Sequence, residues 1–222
     1  MKNIFKRTLC AVLILSMLFI LPSCGGEKEP TIELESETES VSSEVEFLDF
    51  FAFDGKYVED GSDADVKGVA AIKIKNNTAN AYELMKIEVE AGGNIYNFFV
   101  TALMSGMTLT VLEKDKKPVS GDISKKSFTI IESCGYRTEP SLYKDKFSFE
   151  CFDGIMNLKN ISDRDFENDV YVYYKNRDAS GCLGGITYRI NFGPMKKGAL
   201  SQHPSAHLSK DSSEVLFITY GE

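Results

Sequence analysis

The sequence predicts an all-β chain: two tandem small antiparallel β-sandwiches behind a cleaved export signal and a disordered acidic tether. Three observations predict it. Short runs with period-two alternation, such as Met85-Lys86-Ile87-Glu88-Val89-Glu90, mark strands with one buried face. These runs are bounded by Gly, Asn, Asp and Pro clusters, and long helical periodicity is absent after the signal. The two halves of the chain beyond Phe47 also resemble each other.

Residues 1–23 read as the signal. Lys2, Lys6 and Arg7 form a basic start, Leu9 to Leu21 is apolar except for Ser16, and a small residue precedes Cys24. The apolar run is shorter than the ~20 residues that cross a hydrocarbon core. Leu21-Pro22-Ser23-Cys24 resembles the bacterial lipobox, with Pro22 standing where a small residue is more common. That resemblance implies cleavage before Cys24 and attachment of a diacylglycerol to its thiol. The mature protein would then be lipid-anchored to the bacterial cell membrane on its extracytoplasmic side, without spanning it.

Residues 24–46 read as the tether. The whole chain carries a formal net charge of −8, and losing the three basic residues of the signal makes it −11. Eight glutamates (Glu27, Glu29, Glu33, Glu35, Glu37, Glu39, Glu44 and Glu46) against Lys28 alone concentrate the acidity here, among Ser, Thr and Gly. Few large apolar side chains offset the entropy of ordering, and like charges repel, so an extended, disordered segment is expected. At ~3.3 Å per residue it would reach ~70 Å fully stretched, and ~25 Å as a flexible coil.

The remainder is read as units 47–134 and 145–222, joined through Gly135 to Ser141. Lys75-Asn76 opens a polar turn ending at Tyr82, and 84 positions later Lys159-Asn160 opens one ending at Phe166. After a one-residue slip, Met85, Ile87 and Val89 correspond to Val170, Val172 and Tyr174, with Tyr171, Tyr173 and Lys175 between them. Gly92-Gly93 followed by Tyr96, Phe98 and Val100 then matches Gly184-Gly185 followed by Tyr188, Ile190 and Phe192 at an offset of 92. The change of offset places an insertion near Arg177 to Leu183, in a hairpin loop where extra length costs little. The order of early strand, Lys-Asn turn ending in an aromatic, alternating strand and later strand resembles the immunoglobulin-like modules of bacterial surface lipoproteins, including the FxLYD type. The FxLYD string itself does not occur. This resemblance implies two immunoglobulin-like β-sandwiches.

Candidate chemistry is sparse. His203 and His207, four residues apart in a Pro- and Ser-containing stretch, lack nearby Cys or carboxylate at zinc-ligand spacing, so a solvated loop is expected and no metal. No Gly-x-Ser-x-Gly elbow accompanies them. Asp60, Asp63 and Asp65 share one loop, and Asp163, Asp165, Glu167 and Asp169 alternate in another; neither matches an EF-hand loop. Because Ala79 and Ala81 replace Asp163 and Asp165 in the first unit, Asp-rich turns are the reading adopted. Cys134, Cys151 and Cys182 are an odd set in which at most one intramolecular disulfide forms, its pairing left open.

The most suggestive difference between units lies on an outward sheet face. Where the first unit presents Lys86 and Glu88, the second presents Tyr171 and Tyr173, with Arg189 expected beside them. Outward tyrosines stack on sugar rings or anchor a protein, or else pack between the units. The expectation is a non-catalytic binding module for an envelope protein or glycan, with Tyr171, Tyr173 and Arg189 as the ligand-binding residues. The alternative is a structural or accessory envelope protein with no small ligand. No enzyme grouping, cofactor or nucleic-acid motif is implied.

Overall fold

The computed structural model describes residues 44–221. Twelve strands and no helix make up these residues: β1 (Val45–Tyr57), β2 (Ala64–Asn76), β3 (Tyr82–Ala91), β4 (Asn94–Leu103), β5 (Thr108–Leu112) and β6 (Lys126–Gly135) in the first half, then β7 (Phe147–Phe152), β8 (Ile155–Asn160), β9 (Phe166–Asp178), β10 (Gly181–Met195), β11 (Leu200–Pro204) and β12 (Ser213–Tyr220) in the second. The signal, Cys24 and nearly all of the stretch read as tether lie outside the described residues. β1 begins two residues inside that stretch because Val45 is buried against the first core.

Alternation accounts for the strands. In β3, Met85, Ile87 and Val89 point into a core that they share with Tyr96, Phe98 and Val100 of β4 and Ile72 and Ile74 of β2. In β9, Val170, Val172 and Tyr174 do the same in a second core with Leu158, Ile190 and Phe192. Each side chain of this size contributes about 1.5–3 kcal/mol on burial. β2 is apolar on both faces, because Tyr57, Val58 and Leu112 pack with Val69 and Ala71 on the side away from the first core.

The six strands of each half have the same order. β1-β2-β5 faces β4-β3-β6 in the first, while in the second β7-β8-β11 matches the former and β10-β9-β12 the latter. The likeness extends to single hydrogen bonds. Buried Asn76 donates to the carbonyls of Asn80 and Leu103 and accepts from the N–H and hydroxyl of Thr78. Buried Asn160 donates to the carbonyls of Arg164 and Met195 and accepts from the N–H and hydroxyl of Ser162. Each amide satisfies turn groups that burial would otherwise orphan.

One six-stranded sheet, β1-β2-β5-β10-β9-β12, runs through both halves. All its pairings are antiparallel except that between β5 and β10, where Cys182 and Leu183 lie parallel to Leu109 and Thr110. The described residues accordingly belong to one compact unit. The inserted residues are what make the joint: beyond Lys175 the β9–β10 hairpin continues as an arm, pairing Asn176 with Leu183 and Asp178 with Gly181, and this arm lies along β5.

The matched glycine pairs do different work. Gly92 and Gly93 form the β3–β4 turn at φ +58 and +74, left-handed values that suit a two-residue hairpin. Gly184 and Gly185 instead lie in a wide bulge of β10, whose register jumps from Leu183 to Tyr188 while β9 advances only from Asn176 to Tyr174.

Candidate functional site

The outward face of β9-β10-β12 meets the outward face of β4-β3-β6, and the two enclose a cleft of about 700 Å³. That size lies within the range of small-ligand sites. Leu84, Thr101 and Cys134 line one wall, and Tyr173, Phe217 and Thr219 the other. Leu84, Thr101, Tyr173 and Thr219 turn away from their own sheets' cores because their strand neighbours Met85, Val100, Val172 and Ile218 fill those cores, while Phe217 is buried in the first core and Tyr136 and Tyr173 pack against it. Where the walls meet, the Thr101 hydroxyl donates to the Gly185 carbonyl at 3.0 Å, and the Thr187 hydroxyl donates to the Thr101 carbonyl at 3.1 Å.

The second wall is aromatic. Tyr173 stacks on Phe217 with centroids 4.4 Å apart and planes 14° apart, and Tyr136 meets Phe217 edge-on at 5.5 Å. Burial pushes the Tyr136 hydroxyl pKa up, and the Glu83 carboxylate at the rim adds to it. The rings continue into a smaller hollow of about 350 Å³ between β12 and the connection of residues 136–143, where Tyr143 and Tyr220 add to the lining. In that hollow Pro140 fixes the backbone direction and the Ile218 N–H donates to the Ser141 carbonyl at 2.9 Å.

Of the three residues read as a site, two touch and the third belongs to the cleft. The Arg189 guanidinium lies 4.7 Å from the Tyr171 ring centroid, a cation–π contact on the exposed sheet surface. The Tyr171 hydroxyl donates to Asp169 at 2.9 Å, and that acceptor raises its pKa. Tyr173 pairs with Arg189 across the strands but stacks within the cleft. Sequence reasoning missed Tyr136 and Phe217. Tyr136 sits in a connection without periodicity, and Phe217 follows a register shift in β12 that disrupts simple alternation.

Immediately behind the line where the walls meet is a buried polar clamp. Lys175, read as an outward residue by alternation, has no exposed surface. Its ammonium donates to the carbonyls of Gly184 (3.0 Å), Gly185 (3.0 Å) and Ile186 (2.5 Å), the turn of backbone that bulges over it. Glu59, from the β1–β2 connection of the other half, holds the amides: Oε1 accepts from Leu112 and Gly185 at 2.8 Å each, and Oε2 from Ile186 at 3.1 Å. Burial pushes the Lys175 pKa down to about 7 despite the pull of Glu59, and burial pushes that of Glu59 up despite the three amides.

The remaining candidates are dispersed. His207 pairs through Nδ1 with Asp63 at 2.9 Å and stacks on Tyr188 at 4.7 Å, whereas His203 meets Phe192 edge-on at 4.8 Å. Asp60 pairs with Lys116 and Asp65 with Lys56. In the other loop Lys196 takes Asp165 and Glu167, and Asp169 accepts from Tyr171. No group of three or more His, Cys, Asp or Glu poised for a metal occurs among the described residues. Cys134, Cys151 and Cys182 are all free thiols, exposed, partly covered and buried in that order. No protein-family model, curated protein or solved structure matches this chain.

Proposed function

We propose that this chain is a lipid-anchored extracytoplasmic protein of the bacterial envelope. In this reading Cys24 carries the lipid, residues 24–46 form an acidic tether, and two tandem immunoglobulin-like β-sandwiches bind a partner without catalysis. The equivalent strand orders and the matching Asn76 and Asn160 turns support the tandem reading. The observation that carries the binding reading is the cleft, with the Tyr173–Phe217 stack and Tyr136 on one side and threonine hydroxyls at its base. Aromatic faces beside hydroxyl groups suit the alternating apolar and polar surfaces of a sugar ring, so an envelope glycan is the favoured ligand class over an envelope protein.

The test is binding of purified envelope glycans to the full chain, compared with Tyr173→Ala and Tyr171→Ala variants. Tyr173→Ala is expected to weaken binding by about tenfold or more, the ~1–3 kcal/mol scale of a stacked ring contact. Tyr171→Ala, outside the cleft, is expected to have the smaller effect. Undiminished binding in a folded Tyr173→Ala protein would remove the cleft as the site. Anchorage is tested separately, since Cys24→Ala should move the protein out of the membrane fraction.

A further inference from the structure

We infer that Glu59 and Lys175 are positioning residues that set the angle between the cleft walls, with Gly184–Ile186 as the hinge they lock. Between Leu183, which pairs in the arm, and Tyr188, which pairs in the second half's own sheet, four residues of β10 have no β9 partner in register. This is where β10 passes from lying along the first half to belonging to the second.

A free bulge of that length would be a flexible joint. Here three of its carbonyls converge on one ammonium supplied by the second half, and two of its amides converge on one carboxylate supplied by the first. The carboxylate also holds the Leu112 amide at the end of β5, so Glu59 ties the hinge directly to the first half's sheet. Charge-assisted bonds of this kind are stronger than neutral ones, and burial removes competing water.

The glycines let the hinge come close enough. A Cβ on Gly185 would fall 1.8 Å from the Phe99 carbonyl oxygen, and one on Gly184, at φ +92, would fall 2.5 Å from Val58 Cγ2. The carbonyl of the same Gly185 accepts from Thr101 at the base of the cleft. Any movement of the bulge is therefore transmitted to the line along which the walls meet. Its consequence for ligand binding rests on the cleft reading above; the mechanical role does not.

The test needs no ligand. In the full chain, nitroxide labels on the native Cys134 of β6 and on Glu167→Cys of β9, with the other cysteines changed to serine, report the span between halves by pulsed electron resonance. The parent should give one narrow distance. Lys175→Met, Glu59→Gln and Gly185→Ala should each shift or broaden it while circular dichroism still shows the parent's strand content. A merely stabilising pair would lower the melting temperature and leave the distance unmoved, and that result would overturn the inference. Glu59→Gln is nearly isosteric and tests the clamp if Lys175→Met does not fold. Amide exchange on the unaltered chain is a second check: Leu112, Gly185 and Ile186 should exchange together, and separate, fast exchange would also overturn it. If the variants move the distance but glycan binding is unchanged, the cleft reading fails and the clamp stands.

Discussion

Lys175 is the residue whose role departs furthest from its place in the pattern. A fully buried lysine is tolerable only when its donors are all used and an opposite charge is near. Three carbonyls and Glu59 meet both conditions. Its burial predicts a pH dependence of stability. The folded form holds the proton with a pKa of about 7 against the ordinary 10.5, so the unfolded chain binds it more tightly between those values. Stability should rise with pH across that window, and this contribution should be lost as pH falls through 7. Glu59, raised by burial, works in the opposite direction at acid pH, where stability is lost as pH rises from its ordinary 4.5 through its raised value. Denaturant titrations of the parent and Lys175→Met between pH 7 and 10 check this; parallel pH profiles would refute it. Alternation carries no sign of this burial, because the bulge that covers Lys175 comes from residues nine to eleven positions further on.

The arm of β9 and β10 is the element that decides the connection between the halves. An edge strand with unpaired N–H and C=O groups invites non-native pairing, and β5, with Leu109, Val111 and Leu112 buried, is too apolar to stand open. Its counterpart in the other half, β11, is the polar Leu-Ser-Gln-His-Pro, a short strand that ends in the edge-blunting Pro204. Two equivalent positions thus carry opposite edge chemistry, and only the apolar one is covered by the arm. Replacing Asn176–Leu183 with a two-residue turn should cost about 3 kcal/mol in lost Cys182 and Leu183 burial. It should also make the protein aggregate through β5, which light scattering at rising concentration would register. A soluble, equally stable variant would show that the arm is dispensable. The insertion is visible in the sequence as the jump in offset from 84 to 92. Its target is not, because nothing local to Cys182 and Leu183 names Leu109 and Thr110.

For the whole molecule, separate cores and a shared sheet make competing demands. The second cluster draws on the second half alone, which favours independent folding, whereas the first also takes in Cys182, Leu216 and Phe217 from the second half, and the β5–β10 pairing, the Glu59 clamp and the Tyr136–Phe217–Tyr173 contact add to that tie. The Glu59 clamp among these ties is charged and largely buried, so separating the halves strands polar groups as well as apolar surface. Calorimetry of the intact chain is expected to show a single cooperative transition, with residues 44–135 and 142–222 expressed apart each melting lower. Two transitions in the intact chain would mean that the ties are energetically minor.

The sequence by itself determined the all-β class, the positions of most strands and the faces of β3 and β9, because side-chain alternation is a local consequence of strand geometry. The outward placement of Tyr171 and Tyr173 follows from the same rule. Only the tertiary structure decided what those faces meet. Thr101 reaches Gly185 across 84 residues, Glu59 reaches it across 126, and Asp63 meets His207 across 144. A cleft assembled from such distant partners depends on how two sheets are brought together, and that is set by the bulge and arm of β10, which no periodicity encodes.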